Sequence, residues 1–277
     1  MHVVTCRSLR REYRLRCTDA DMAALLGFIA AEPVLPGQTL EIVEVSVHQR
    51  DGFLIAEAPH GKIVEGTPKW LLRAMHRIIL ADVIGDEPQA LMIRGATVVI
   101  GGRRLLLVGP RGSGKSTMAL YLALRGHDVE GDEHLLVREN NVIARPRTMR
   151  VRESALRLIE GLPPSVWSSP SWTNWDGSVV RSVCPAVGGR PWVIRAGALD
   201  AIVFLEPNHG GRSVCRPASK TETFGRLMLE VTLPRVGIAA AAGRARQLAL
   251  GLPAYQMMLG DLGGAEWHLR QVSRSLT

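Results

Sequence analysis

The stretch that most constrains this chain is GPRGSGKS, residues 109–116. An apolar run, LLLV, leads into it, and KSTMALYLALR, with the spacing of a helix, leads out of it. The run fits the pattern GxxxxGK[ST], in which main-chain N–H groups surround a chain of phosphates at a helix N-terminus. Gly126 stands where a helix of this length would end. The sequence therefore predicts a strand–loop–helix unit that binds nucleotide phosphates.

Each residue type in the loop has a physical role. The glycines let the backbone wrap closely around the phosphates. The ammonium group of Lys115 reaches the β- and γ-phosphates, so Lys115 is also a candidate catalytic residue, and the hydroxyl of Ser116 can bind Mg²⁺. ATP and Mg²⁺ are the expected cofactors. The predicted nucleotide-binding residues are Gly109, Arg111, Gly112, Ser113, Gly114, Lys115, Ser116 and Thr117.

A phosphate loop also needs an acid that holds Mg²⁺ or orients the attacking group. Asp132 and Glu133 come soon after the predicted helix, at the start of the next element. We assign Asp132 as the general base that takes a hydroxyl proton and Glu133 as a ligand of Mg²⁺. Glu206, at the end of the apolar run AIVFLE, is the alternative and would make the protein an ATPase. Both alternatives remain open at this point.

The loop, the helix length and the acidic pair together resemble a known family. GxxGSGKSTMALYLALRGHxVxGDE is similar to the nucleotide-binding module of HPr serine kinase/phosphorylase, GxSGxGKSExALxLxxRGHxLxADD. The resemblance implies an α/β fold with a P-loop HPr-kinase-like core. It also implies an ATP- and Mg²⁺-dependent serine kinase whose acceptor is an HPr-like protein or a ribosomal precursor peptide. The overall layout, and the basic-apolar stretch RTMRVRESALRL (residues 147–158) after the acidic pair, resemble the related peptide-tailoring kinases, some of which act on lasso-peptide precursors.

The chain departs from the family pattern at Arg94, which precedes Gly95 where the family has a His-Gly pair. Arginine cannot accept a proton. His134 is a candidate substitute, Glu153 a candidate second metal ligand, and His127 is read as structural. If Arg94 prevents transfer, the chain is a nucleotide-binding regulatory or assembly protein. The family also has a long C-terminal loop that contacts phosphate, and the candidates to replace its contacts here are Arg235, Arg244 and Arg246.

Residues 1–89 form a separate unit in this interpretation. LEIVEVSVH and FLIAEA alternate like strands around the turn QRDG, and GKIVEG suggests a third strand. DADMAALLGFIAAE has a helical pattern, and a second helix is predicted from an N-cap at Thr67 to Gly85. We predict a small α+β accessory or recognition domain over 1–89 and a kinase-like nucleotide-binding domain over 90–277, with strands around Gly101–Gly102.

The amino-acid composition limits the classes of binding partner that we expect. The formal net charge is +8, from 34 Lys and Arg against 26 Asp and Glu, and nearly all of the excess is arginine, which favours phosphate and carboxylate partners. No basic run is interleaved with aromatics, so nucleic acid is not expected. No apolar run is long enough to span a membrane. We expect a cytoplasmic protein with reduced thiols, a protein or peptide substrate bearing the acceptor serine, and possible homo-oligomers.

Overall fold

The structure is a computed structural model that describes residues 1–59, 61–232 and 237–276, and the side chain of Lys62 is not described. This part of the chain is a mixed α/β structure. Its strands are β1 (His2–Arg7), β2 (Arg11–Cys17), β3 (Glu41–Arg50), β4 (Phe53–Ala58), β5 (Gly61–Gly66), β6 (Leu91–Ile100), β7 (Arg103–Val108), β8 (Asp128–Arg138), β9 (Asn141–Ala144), β10 (Met149–Arg152), β11 (Ser171–Thr173), β12 (Val179–Val183), β13 (Gly197–Ala198), β14 (Ala201–Pro207), β15 (Val214–Pro217) and β16 (Ala254–Leu259). Its α-helices are α1 (Ala20–Gly27), α2 (Pro68–Asp86), α3 (Lys115–Leu124), α4 (Glu153–Leu156), α5 (Pro164–Trp167), α6 (Lys220–Glu230), α7 (Ile238–Gly251) and α8 (Leu262–Ser275).

The N-terminal residues form a five-stranded sheet in the order β1-β2-β3-β4-β5, in which only β2 and β3 are parallel. The predicted β3–β4 hairpin is present, and Asp51 and Gly52 turn it with positive φ values of 51° and 81°. The hydroxyl of Thr67 caps α2, as expected, by accepting a hydrogen bond from Trp70 N. However, α2 continues through Gly85 to Asp86, and α1 ends at Gly27, earlier than the pattern suggested.

The second sheet has eight strands in the order β13-β9-β8-β6-β7-β14-β16-β15. The pairs β7–β14 and β14–β16 are parallel, and the other pairs are antiparallel. Helices α3 and α8 pack on one face, where Met118 and Leu269 are fully buried. Helices α6 and α7 cover the other face through Leu227 and Leu248. The sheet is thus the middle layer of three. The loop that follows β7 at Val108 leads into α3 on one face of this sheet.

A third, small sheet in the order β10-β12-β11 lies beside the N-terminal unit. Trp172 of β11 packs against Phe28, with ring centroids 6.1 Å apart, whereas Trp175 in the following turn is 89% exposed. Val34 forms an isolated bridge to Val193, so residues of the N-terminal region meet those of the C-terminal region in main-chain hydrogen bonds. The division of the chain at 89/90 stays a prediction.

Among the described helices, none combines the length and apolar character needed to cross a membrane. All four cysteines are free thiols, and Cys6 and Cys17 are buried in the N-terminal unit. Burial raises the pKa of the Cys6 thiol to about 12, which keeps it protonated.

Candidate functional site

The loop between β7 and α3 has the backbone conformation that its glycines permit. Gly112 and Gly114 adopt positive φ values of 88° and 92°, and Gly114 is the N-cap of α3. At Gly109 an added Cβ would lie 2.6 Å from the carbonyl oxygen of Leu205, so a side chain cannot fit there. The first N–H groups of a helix have no intrahelical partner, and this loop therefore leads into an anion-accepting helix end.

Lys115 lies in the first turn of α3 and is folded onto the loop. Its ammonium group donates to the carbonyl oxygens of Gly109 at 2.6 Å and of Pro110 at 2.9 Å, and to the hydroxyl of Ser113 at 3.3 Å. The residue is only 7% exposed, and this burial lowers its pKa. A buried cation whose partners are neutral oxygens is well placed to exchange them for phosphate oxygens.

Asp132 is brought to the loop by the register of three strands. Ala96 of β6 pairs with Leu107 of β7 on one side and with Asp132 of β8 on the other, so the three residues form one row across the sheet. From the first turn of α3, the hydroxyl of Ser116 donates to Asp132 Oδ2 at 2.6 Å. Asp132 is 3% exposed, and burial raises its pKa, although Ser116, Arg147 and Lys115 act to lower it.

Glu133 has a different environment from its neighbour. Its φ is +81°, a left-handed value that a non-glycine residue rarely adopts, although it lies within β8 and pairs with Gly95 of β6. Its carboxylate contacts the guanidinium group of Arg147. The acidic pair therefore splits, with Asp132 bonded to the loop and Glu133 bonded to an arginine.

Arg94 lies on β6 directly opposite His134 of β8, and its charge acts on Lys115 and on Glu230. Glu230, at the end of α6, is a site residue that sequence reasoning missed. It is 7% exposed, and burial raises its pKa against the opposing effects of Lys115 and Arg94. No motif marks Glu230, because only the packing of α6 against the sheet brings it here.

His134 is held neutral by its surroundings. Burial, followed by the charges of Arg145 and Arg94, lowers its pKa to about 4. Its Nδ1 lies 3.5 Å from Arg145 Nη1 and 3.7 Å from a carboxylate oxygen of Glu133. An imidazole beside the acidic pair could orient Glu133 or accept a proton, but below about pH 4 it loses that capacity.

The remaining candidates lie in other contacts. His127 Nε2 lies 3.1 Å from Glu266 Oε1 of α8, which agrees with a structural role. Glu153 pairs with Arg181 at 2.6 Å and is therefore already neutralised.

The loop's other predicted residues differ in burial. Arg111 is exposed and Thr117 is buried in α3. Arg235 lies outside the described residues, and Arg244 donates to the side chain of Gln89 at 3.4 Å.

Glu206 is the penultimate residue of β14, the strand that runs parallel to β7, and its carboxylate contacts Arg226 of α6. Arg226 also lies 3.2 Å from Glu222. The acid that an ATPase mechanism would use is thus adjacent to the loop strand but engaged in an ion pair.

The described residues include no group of three or more His, Cys, Asp or Glu side chains that could hold a metal ion by themselves. Mg²⁺ does not require one, because it commonly takes one or two protein oxygens and completes its shell with phosphates and water. The hydroxyl of Ser116 and the carboxylates of Asp132 and Glu133 are oxygen donors of the kind that Mg²⁺ prefers. The residues present therefore fit this ion.

Comparison with known proteins does not establish a family. No family model matches the chain, and no curated protein matches it. Among solved structures, the chain is similar to the HPr(Ser) kinase/phosphatase from Coxiella burnetii, with 14% identity and a TM-score of 0.32 over 66% of this chain and 88% of the other. A likeness this distant carries no argument, so the function has to be argued from the residues.

Proposed function

We propose that this chain is an ATP- and Mg²⁺-dependent kinase that transfers the γ-phosphate to a serine hydroxyl of a protein or peptide. The observation that supports this most directly is the 2.6 Å hydrogen bond from Ser116 to Asp132. It places a buried carboxylate at the end of the phosphate loop, where the γ-phosphate of a bound nucleotide would lie.

In the proposed mechanism, the loop N–H groups and Lys115 hold the phosphates. Mg²⁺, held by Ser116 and by Glu133 once that carboxylate exchanges its contact with Arg147 for the ion, would supply positive charge to the phosphate oxygens. Asp132 takes the proton of the acceptor hydroxyl as that hydroxyl attacks. A carboxylate in water is a weak base, and burial of Asp132 raises its pKa toward the range where a general base is effective. The N-terminal unit would present the acceptor.

The test uses γ-labelled ATP, Mg²⁺ and candidate acceptors, including HPr and precursor peptides, with Lys115→Ala and Asp132→Asn beside the wild type. We expect Asp132→Asn to lower label transfer by roughly 10²–10⁴-fold while nucleotide binding persists. Lys115→Ala should lower both label transfer and nucleotide binding. Asp128→Asn is the matched control, since Asp128 is on the same strand but 43% exposed at its side chain and paired with Arg190.

A second candidate function is ATP hydrolysis with Glu206 as the acid that orients water. It is favoured by the position of Glu206 at the end of β14, the parallel neighbour of the loop strand. Loss of hydrolysis in Glu206→Gln, with hydrolysis intact in Asp132→Asn, would replace the kinase proposal with this one. Nucleotide binding without transfer to any acceptor would favour a regulatory or assembly protein.

A further inference from the structure

Three arginines with buried guanidinium nitrogens lie within six positions of one another, immediately after β9 and along β10. Arg145 is 2% exposed, and the side chain of Arg147 is 13% exposed. The Nε atoms of Arg145, Arg147 and Arg150, and Nη1 of Arg150, are buried without a hydrogen-bond partner among the described residues. A buried donor without a partner costs about 1–3 kcal/mol, and more when it is charged. Such an arrangement is unfavourable unless a ligand offsets it.

The arginines are not balanced by carboxylates in the described part of the chain. Asp132 is the acid whose charge opposes those of Arg147 and Arg150, and Glu133 contacts Arg147. Asp132 is also shared with the hydroxyl of Ser116 and with the main-chain N–H of Arg150. Two carboxylates thus face three arginines.

The positive charge of the three arginines also lowers the pKa values of neighbouring groups. Burial and the charges of the three arginines lower the pKa of His76, on α2, to about 2. Burial, followed by the like charges of Arg147 and Arg145, lowers the pKa of Arg150 well below its usual value. Cys6, the remaining titratable group that acts on Arg145, keeps its proton.

The cluster extends from Asp132 toward the N-terminal unit, away from the loop. Arg150 lies over the ring of Phe28, with its guanidinium carbon 3.6 Å from the ring centroid. Arg145 donates to the main-chain oxygen of His76 at 3.4 Å. The nucleotide side of Asp132 is already occupied by Ser116. The guanidinium nitrogens without partners therefore lie between Asp132 and the N-terminal unit, the unit to which the proposed mechanism assigns the acceptor.

We propose that Arg145, Arg147 and Arg150 form a binding subsite for an oxyanion, a carboxylate or a phosphate, carried by the acceptor chain close to the hydroxyl that reacts. This inference deepens the proposed kinase function and rests on it for the identity of the acceptor. The guanidinium fork binds both oxyanions in a bidentate manner, and the aromatic ring beneath Arg150 holds one fork in a fixed plane.

The test measures peptide binding with ADP and Mg²⁺ present at saturation, so that the loop is occupied. The probes are fluorescein-labelled decapeptides that differ only beside a central serine, where they carry Asp, Asn or phosphoserine. Wild type should bind the Asp or the phosphoserine peptide at least about tenfold more tightly than the Asn peptide. Whichever of these two peptides binds more tightly identifies the oxyanion as a carboxylate or a phosphate.

Arg150→Gln should abolish this preference, and Arg150→Lys should keep part of it, because the charge remains while the fork is lost. Arg152→Gln is the matched control, since Arg152 is exposed on the same strand. Should Arg150→Gln fail to fold, Arg150→Lys still gives a measurable partial loss.

Equal binding of the three peptides to wild type would overturn the inference, as would an unchanged preference in Arg150→Gln. A preference that appears only without ADP would assign the arginines to nucleotide phosphates and would also overturn it. The kinase proposal fails separately. Acidic peptides that bind with the expected preference but are never phosphorylated contradict the kinase and leave the subsite in place.

Discussion

His76 offers a test of the combined effect of burial and the arginine charges, and this test needs no nucleotide or acceptor. Its pKa is lowered from 6.5 to about 2, first by burial and then by Arg145, Arg147 and Arg150. The folded protein therefore keeps this imidazole neutral, whereas the unfolded chain binds a proton below about pH 6.5. Because the unfolded state binds more protons, the free energy of unfolding falls as the pH falls through this window.

The magnitude follows from the window. When the pH is lowered from about 8 to about 5, it ends about 1.5 units below the pKa of the unfolded histidine. Each of these units lowers the free energy of unfolding by about 1.36 kcal/mol. His76 should thus account for about 2 kcal/mol of lost stability. The result does not depend on the folded pKa being 2, provided that it lies well below 5. His76→Gln, which keeps a neutral polar side chain on α2, should remove this part of the pH dependence.

The assay is urea unfolding followed by circular dichroism at the two pH values, for wild type and His76→Gln. His209→Gln, at an exposed turn, is the matched control and should behave as wild type. The comparison between variants cancels other groups, including His134, which acts in the same direction, and Asp132, which acts in the opposite one. If His76→Gln loses as much stability as wild type, or His76 titrates near pH 6.5 by NMR, the argument from burial and the arginine charges is wrong.

Three further predictions follow from other contacts. Glu206→Gln should leave label transfer within about twofold of wild type if the kinase proposal holds, since its carboxylate pairs with Arg226; a transfer assay checks this. Gly95→Ala should destabilise by about 1–3 kcal/mol in urea unfolding, because its Cβ would lie 2.7 Å from the Leu107 carbonyl oxygen. Glu266→Gln should cost about 1 kcal/mol in the same assay, because this carboxylate pairs with Arg125, His127 and Arg270, and the two arginines are exposed enough for water to screen them.

Local signals in the sequence predicted the elements that local physics determines. The Asp51–Gly52 and Gly101–Gly102 turns, the Thr67 cap and the strand and helix on either side of the glycine loop are confirmed, since each depends on a few adjacent residues, whereas phosphate binding by the loop stays a prediction. The end of α2 was misplaced, because a glycine in an otherwise helical run does not by itself end a helix that packs along its length.

The site could be predicted only in part, because much of it depends on contacts between distant segments. The spacing of Asp132 from the loop suggested proximity, but the acidic pair was placed at the start of an element and not in the interior of β8. Glu230 had no sequence signal, and the basic-apolar stretch RTMRVRESALRL, residues 147–158, did not indicate that the guanidinium groups of Arg147 and Arg150 would be buried. Their charges act on one another through the packing of α6, α2 and β10 around the sheet, which no short-range pattern encodes.

The location of Asp132 within β8 has a mechanical consequence. Acids at strand ends belong to loops and can shift when a ligand arrives, but Asp132 lies within β8 and is paired across the sheet with Ala96, before the register shift that follows Thr97. That wall of the site is stiff. The opposite wall is the loop with Gly112 and Gly114 in left-handed conformations, and the missing side chains of these glycines leave its backbone less restricted. Whatever binds here has to be carried to a stationary carboxylate, so adjustments during a reaction cycle should be concentrated in the loop and in the incoming chain.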